Sequence, residues 1–306
     1  MRFVVCGENL VDLIPGEIVS PAETRWSALA GGGPMNTSVA LAKLGAPTQF
    51  LGRLGNDAFG AQIERHLVAN EVGLDLAVHS TDPTPLAVVS LDEEGKASYT
   101  FHFEGTSSFS WKPDEFPRLS ADDWLHFASI GFVVGSGIGP LLEFVQGTEA
   151  SLSYDLNIRP TVIPDRERYF ACVEPLMAAV GHSGGIVKAS DDDINWLIDD
   201  TDPLAHAEEW VHRFGLSMFL VTLGADGAVA VQSDGQIVRA PGRKVDLVDT
   251  VGAGDTFMAG FLSAYVEDPS DVARALTHGI GASALVCTRK GANPPSRAEL
   301  QAYLAG

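Results

Sequence analysis

Residues 249–257 read DTVGAGDTF: two aspartates bracket Gly252, Ala253 and Gly254, and an apolar helical stretch follows through Phe257, Phe261, Leu262 and Tyr265. The three small residues can turn their N–H groups toward one point at the start of that helix, where unpaired donors and the helix dipole together favour an anion. Asp255 in the first turn has two readings. As a plain cap it stabilises the helix by about 0.3–1 kcal/mol. Beside a bound phosphate it is instead a carboxylate placed to take a proton while a phosphoryl group is attacked.

Outward from this stretch the chain alternates. Apolar runs at 3–7, 48–55, 124–131, 150–157, 184–190 and 218–224 read as strands buried on both faces. Between them, 35–44, 57–70, 139–149, 165–180, 191–199 and 203–214 carry helical spacing, and 254–267, 269–287 and 296–304 form a helical C-terminal portion. Strands separated by helices imply right-handed crossovers and a mostly parallel sheet, hence an α/β protein. The segment 84–103 breaks the pattern. It reads as two strands joined around Glu94 and Gly95, a hairpin that would project from the sheet and cover a pocket, with a plain edge hairpin as the alternative. With no linker, repeat or low-complexity tract, residues 1–306 are expected to form a single large domain with an appended lid.

Composition sets limits on partners. With 40 acidic and 20 basic residues the formal charge is −20, which favours solubility and argues against wrapping nucleic-acid phosphates or an anionic membrane. Cys6, Cys172 and Cys287 lie far apart without metal-site spacing and read as reduced thiols. The opening apolar run is broken by Glu8 and Asp12, unlike a signal peptide or membrane span, so a cytoplasmic location is expected.

Two other glycine-rich turns compete for phosphate. GSGIGP (135–140) has Pro140 where a dinucleotide fingerprint needs its third glycine, so a helix-starting loop is the better reading and a nicotinamide enzyme the weaker one. GGGPMN (31–36) lets backbone approach a ligand closely, allows Pro34 to open a helix, and offers in Asn36 both donors and an acceptor, the dual character hydroxyl-rich ligands require; a structural turn is the alternative.

GGGPMN with the following ALAKLG, and DTVGAGDTF, resemble the two signatures of the ribokinase-like, or PfkB, sugar kinases. The resemblance continues through CGENLVD (6–12), GRLGNDAFG (52–60), DLNIRP (155–160), KASDDD (188–193), VTLGADGA (221–228) and CTRKGA (287–292). It implies a three-layer α/β/α fold with a central mostly parallel sheet, and a small β lid with strands from about 13–30 and 84–110. It also implies ATP-dependent transfer of a phosphoryl group to a sugar hydroxymethyl group. On this resemblance Asp255 is the general base and Gly252, Ala253 and Gly254 form the anion hole. Asp12, Gly32, Gly33 and Asn36 match sugar-binding positions, and Arg159 can reach either the sugar or the transferred phosphate, with a structural arginine as the alternative. Thr222, Gly224 and Gly227 follow the nucleotide phosphates, Lys188 matches a lysine near them, and Ala282 with its neighbours would line the adenine pocket.

The family's Asn-x-x-Glu after that lysine is here Ser190 and Asp193; Asp193 is expected to orient magnesium-bound water over a reach one methylene shorter. Some relatives also bind a monovalent cation, K⁺ in character, beside the hole, where Asp249, the Val251 backbone and Gly291 match; a turn-capping role for Asp249 is the alternative. Glu8 beside Gly7, together with DLNIRP, resembles fructokinases and the neighbouring 2-keto-3-deoxygluconate kinases more than ribokinase. The lid candidate has no basic residue beyond Lys96 for a substrate carboxylate, so D-fructose phosphorylated at its 6-hydroxyl is expected. Nucleoside kinases are a lesser alternative, with Phe101, Phe103 and Trp111 available to stack on a base or, more simply, to pack the lid. A non-catalytic sugar or nucleotide sensor on the same fold is the rival of a different class. A homodimer through the lid is expected from the resemblance alone.

Overall fold

The computed structural model describes residues 1–91 and 97–306. The expected turn around Glu94 and Gly95, and Lys96, lie outside the described residues. In chain order the first half gives β1 (Arg2–Cys6), β2 (Leu10–Ser20), β3 (Glu23–Gly31), α1 (Gly33–Lys43), β4 (Thr48–Leu51), β5 (Arg53–Gly55), α2 (Ala58–Ala69), β6 (Val78–Ser80), β7 (Leu86–Leu91), β8 (Ala97–His102), β9 (Asp123–Ala128) and α3 (Ile138–Gly147). The second half gives β10 (Ser151–Asp155), α4 (Arg166–His182), β11 (Ile186–Ser190), α5 (Asp191–Ile198), α6 (Pro203–Phe214), β12 (Met218–Thr222), β13 (Gly227–Gln232), β14 (Ile237–Pro241), α7 (Ala253–Tyr265), α8 (Val272–Cys287) and α9 (Arg297–Ala305).

The main sheet runs β14-β13-β12-β11-β10-β9-β1-β4, parallel from β12 to β4 and antiparallel over β12, β13 and β14. Every predicted apolar run contributes to it, because each strand is covered on both faces. Along β1, Val4 and Cys6 enter the layer of α3, α4 and α6, whereas Phe3 and Val5 enter the layer of α1, α7 and α8. β13 and β14 were not anticipated, although Asp234-Gly235 between two apolar runs is a hairpin signal, and Gly235 takes φ 84° there. Helix α8 starts at Val272, later than the predicted 269, because Asp271 caps it by accepting from the Arg274 N–H.

The smaller sheet runs β3-β2-β7-β8 and includes the hairpin strands expected within 84–103, joined by two longer strands from residues 10–31. A separate core of Val11, Met35, Val39, Phe50, Leu54 and Ile63 fastens it to α1 and α2. The sheet leaves Ile18, Trp26 and Leu29 exposed.

Candidate active site

The strands of the parallel region end on one side of the sheet, and the segments leaving β1, β9, β10 and β11 converge there, where α/β sheets place their ligands. Two non-glycine residues in this ring have positive φ: Asn157 at 43° and Ser129 at 66°. Ser129, with ψ −155°, occupies backbone space that is almost exclusive to glycine, a strain of order 1–3 kcal/mol that packing must hold in place. Its N–H donates to the Asp155 carbonyl at 3.1 Å.

Helix α7 enters this ring N-terminus first. Gly252 caps it with φ 77°, and a Cβ there would lie 2.8 Å from the Ala292 Cβ, so only glycine fits. The Ala253 N–H donates to the Thr250 carbonyl at 3.1 Å and is engaged in the turn itself. Gly252, Gly254 and Asp255 have no hydrogen-bond acceptor for their N–H groups among the described residues, so they, rather than the expected Gly252–Gly254 set with Ala253 in it, are the donors open to an anion.

Asp255 is buried, and its Oδ2 accepts a 2.9 Å hydrogen bond from the Asn36 amide. The two signatures, 219 residues apart in sequence, therefore meet in one side-chain contact. Burial pushes the Asp255 carboxyl up to about 6; the bond from Asn36 and the charges of Lys188 and Arg159 oppose this, and the Asp155 charge adds to it. A carboxylate poised in that range is ionised at neutral pH and still able to take a proton.

The GGGPMN turn has three distinct backbone requirements. A Cβ on Gly31 would lie 2.6 Å from Asp12 Oδ2, and one on Gly32, where φ is 118°, 2.6 Å from the Glu8 carbonyl. A Cβ on Gly33 would fall 2.8 Å from Asn157 Nδ2 and 3.3 Å from Asp255 Oδ1. Asp12, on β2, therefore stands over the same ground as Asp255, and its own carboxyl is pushed up to about 6 by burial against the opposing charge of Arg159. Arg159 folds back so that Nη1 donates to the Ile158 carbonyl at 3.0 Å, and it forms no ion pair among the described residues, yet its charge acts on Glu8, Asp12, Asp155 and Asp255 alike. Glu8, buried and accepting from the Gly131 N–H at 3.1 Å, is pushed up to about 7 by burial.

Among the residues expected to follow the nucleotide, Lys188 is buried with Nζ against Gly254: a Cβ there would lie 2.9 Å away. Ser190 and Asp193 form a capping box on α5, with the Asp193 N–H on Ser190 Oγ at 3.0 Å and the Ser190 N–H on Asp193 Oδ2 at 2.9 Å. Asp193 Oδ1 also accepts from the Ile158 N–H at 2.9 Å, tying α5 to the loop that bears Arg159. Thr222 pairs with Ser190 across β12 and β11, and Gly224, at φ 53°, has open space where a side chain would be.

Several expected residues are occupied by packing. Gly227 is a glycine because a Cβ would lie 2.2 Å from the Ala240 carbonyl on β14. Ala282 has no exposed surface and packs against Gly260 at the contact of α8 with α7, so its small size is explained by helix approach and it offers no face to an adenine ring. Asp249 accepts from the Val251 N–H at 3.1 Å and the Gly291 N–H at 2.8 Å, the pattern of a turn-capping aspartate that joins two loops. Phe101 stacks on Tyr99 with centroids 6.1 Å apart, whereas Phe103 packs on Phe109 and Trp111 is buried against Phe116, leaving Trp111 no face for a base.

Further side chains without an assigned role in the sequence border the site. Tyr99, 41% exposed on β8, lies on the Asp12 face of the smaller sheet, since Asp12 pairs with Ala87, Ala87 with Phe101 and Val89 with Tyr99; the alternation of ASYTFHF carried that signal. Leu247, Val248 and Val251 form an exposed apolar run beside Cys287, whose carbonyl accepts from the Val248 N–H at 2.9 Å.

Known proteins similar to this chain include sugar kinases. The chain is 34% identical to a fructokinase of Rhizobium leguminosarum bv. trifolii over 270 residues, covering 87% of this chain and 80% of that protein. It is 30% identical to a fructokinase of Klebsiella pneumoniae over 304 residues, covering 95% and 94%. The fructokinase of Vibrio cholerae O395, solved with fructose, ADP and a calcium ion, superposes with a TM-score of 0.85 at 27% identity, covering 99% and 98% of the two chains. A double mutant of that enzyme was solved with fructose, ADP and a potassium ion. The model of the pfkB family carbohydrate kinases matches residues 2–299, and this chain, with both signatures joined through Asn36 and Asp255, belongs to that family.

Proposed function

We propose that this protein is an ATP-dependent fructokinase, transferring the γ-phosphoryl group of ATP to the 6-hydroxyl of D-fructose. The observation that carries the reading is Asp255: a buried carboxylate at the start of α7, held by Asn36, one residue from unpaired N–H donors and within reach of the Lys188 ammonium. The fructokinase names of its relatives, and the fructose and ADP in the Vibrio cholerae structures, support the choice of sugar and nucleotide.

In this reading Asp12, Asn36 and the Gly32-Gly33 backbone bind the sugar hydroxyls, with Arg159 at the boundary of sugar and phosphate. Asp255 takes the hydroxyl proton as the sugar oxygen attacks the γ-phosphorus in line. The new O–P bond forms while the bond from that phosphorus to the bridging oxygen of ADP breaks. The Gly252, Gly254 and Asp255 N–H groups and Lys188 bear on the charge of the transferring group. Ser190, Thr222 and Gly224 lie along the nucleotide, whose adenine would rest on the apolar run at Leu247 and Val248. Magnesium would travel with the nucleotide and offset its phosphate charge. Asp193 fits the holding of one of its waters, since each carboxylate oxygen accepts a single backbone N–H and keeps further lone pairs.

The smaller sheet acts as the lid, because it brings Asp12 and Tyr99 over the site, and its exposed Ile18, Trp26 and Leu29 fit a homodimer formed lid to lid. The protein is expected in the cytoplasm; no described helix is long and apolar enough to cross a membrane. ADP release with fructose, ribose, 2-keto-3-deoxygluconate and adenosine tests the reading. Fructose should give the highest kcat/KM, and turnover with none of the four would favour a sensor.

A further inference from the structure

The sheet face that packs on α1, α7 and α8 is apolar at Phe3, Trp124, Ile186 and Leu220, yet its centre carries the buried polar side chains of His126, Ser153, Asp155 and Lys188. Strand register sets Asp155 on β10 opposite Lys188 on β11. The Lys188 Nζ lies 3.1 Å from Asp155 Oδ1 and 2.9 Å from Oδ2, and the two side chains are only 4% and 2% exposed. Net stability is a poor reason for such a pair, because removing both ions from water offsets most of their attraction. The position of the ammonium gives a better one. Nζ is the atom a Cβ on Gly254 would meet, so it stands between Asp155 and the first turn of α7. Two of its three N–H groups serve Asp155, which leaves one donor for a ligand at that turn.

We infer that Asp155 is a positioning residue for phosphoryl transfer: it holds the Lys188 ammonium against Gly254, at the docking place of the transferred group, while itself touching neither sugar nor nucleotide. Asp155 is 1% exposed and has no surface to offer either ligand. The inference rests on the reading of Asp255 as the base, and the same pair bears on that base. Asp255 is faced by Lys188 from β11, Asp155 from β10, Arg159 from the following loop and the neutral Asn36 from α1. Lys188 is faced in addition by Asp193 and by His126, which burial and the Lys188 charge hold neutral. Removing the Asp155 charge should therefore make Asp255 easier to ionise, and removing the Lys188 charge should make it harder.

The test measures ADP release with fructose across pH, fructose binding by calorimetry and thermal melting for Asp155→Asn, Lys188→Met and the double variant of the full chain. Asp155→Asn should lower kcat by about 10-fold to 10²-fold, the scale of a misplaced catalytic contact, with fructose affinity unchanged. Its acidic limb should move to lower pH, and that of Lys188→Met to higher pH. The double variant, which removes both buried charges together, should have the kcat of Lys188→Met on the pH plateau, where Asp255 is ionised in either background, because Asp155 reaches the transferred group only through that lysine. A further loss of tenfold or more from Asp155→Asn in the Lys188→Met background overturns the inference, even if the Asp155→Asn single variant fails to fold. A melting change with kcat and the acidic limb both unmoved overturns it equally. Asp255→Asn, assayed alongside, separates the two readings: turnover retained there defeats the base, whereas its loss together with absent Asp155 coupling defeats only the positioning role.

Discussion

Replacing Asp255 by Asn should stabilise the fold while it removes the base, and the gain should appear only at a pH where the carboxyl would be ionised. Burial pushes that carboxyl from 3.8 up to about 6, over the opposing bond from Asn36. A shift of about 2 units, at roughly 1.36 kcal/mol each, makes the ionised group cost the folded chain about 3 kcal/mol. Below about pH 4 the carboxyl is protonated in folded and unfolded chains alike, and the cost is absent. Between about pH 4 and pH 6 the unfolded chain has released a proton that the folded chain still holds, so wild-type stability declines as pH rises; above pH 6 the full cost is present. Asn is neutral throughout, and its carbonyl oxygen can still accept from Asn36 much as the protonated carboxyl does; the stronger bond made by the carboxylate is already contained in the net shift. The variant should therefore be more stable than wild type by about 3 kcal/mol at neutral pH, a melting temperature higher by roughly 5 °C at this chain length, with the gap closing toward about pH 4. Paired melts across pH measure it. A variant less stable than wild type at neutral pH, or a gap independent of pH, would refute the claim that this carboxylate is held at a cost to the fold.

Further outcomes follow from the same contacts. Asn36→Ala removes the hydrogen bond to the Asp255 carboxylate, worth about 1.5–3 kcal/mol to the charged form; the acidic limb of the kcat/KM profile should rise by about 1–2 pH units, and an unmoved limb would separate Asn36 from the base. Gly254→Ala adds a Cβ 2.9 Å from the Lys188 Nζ in the first turn of α7, which must push the ammonium off its place, so kcat should fall; unimpaired turnover would place the ammonium outside the reaction. Asp193→Ala strips acceptors from the Ile158 and Ser190 N–H groups and should cost about 1–3 kcal/mol of stability, seen as a lower urea midpoint; the serine-only cap sufficing would show as no change.

Much of the scaffold was legible because both faces of the main sheet are covered: runs such as MFLVT at 218–222 are apolar throughout, and that signal survives without knowledge of their neighbours. β13 and β14 are less legible because β14 is an edge strand, largely exposed and interrupted by Arg239, so it lacks the continuous apolar run of the buried strands. The site was legible where a motif must do two things at once, as with Gly252 and Asp255. It was misleading where one residue type serves two purposes. Ala282 and Gly227 are small because helix α7 and strand β14 approach them, which only the tertiary structure reveals. Asp155 was invisible for the opposite reason: its partner Lys188 is 33 residues away, and only strand register brings the charges together.

Turnover and sugar binding measured together on Asp255→Asn test the central claim most directly. With fructose as acceptor, ADP release should fall by about 10²–10⁴-fold, the contribution of a positioned general base, while calorimetry returns a fructose affinity close to that of wild type. Near-normal ADP release by the variant would contradict the account.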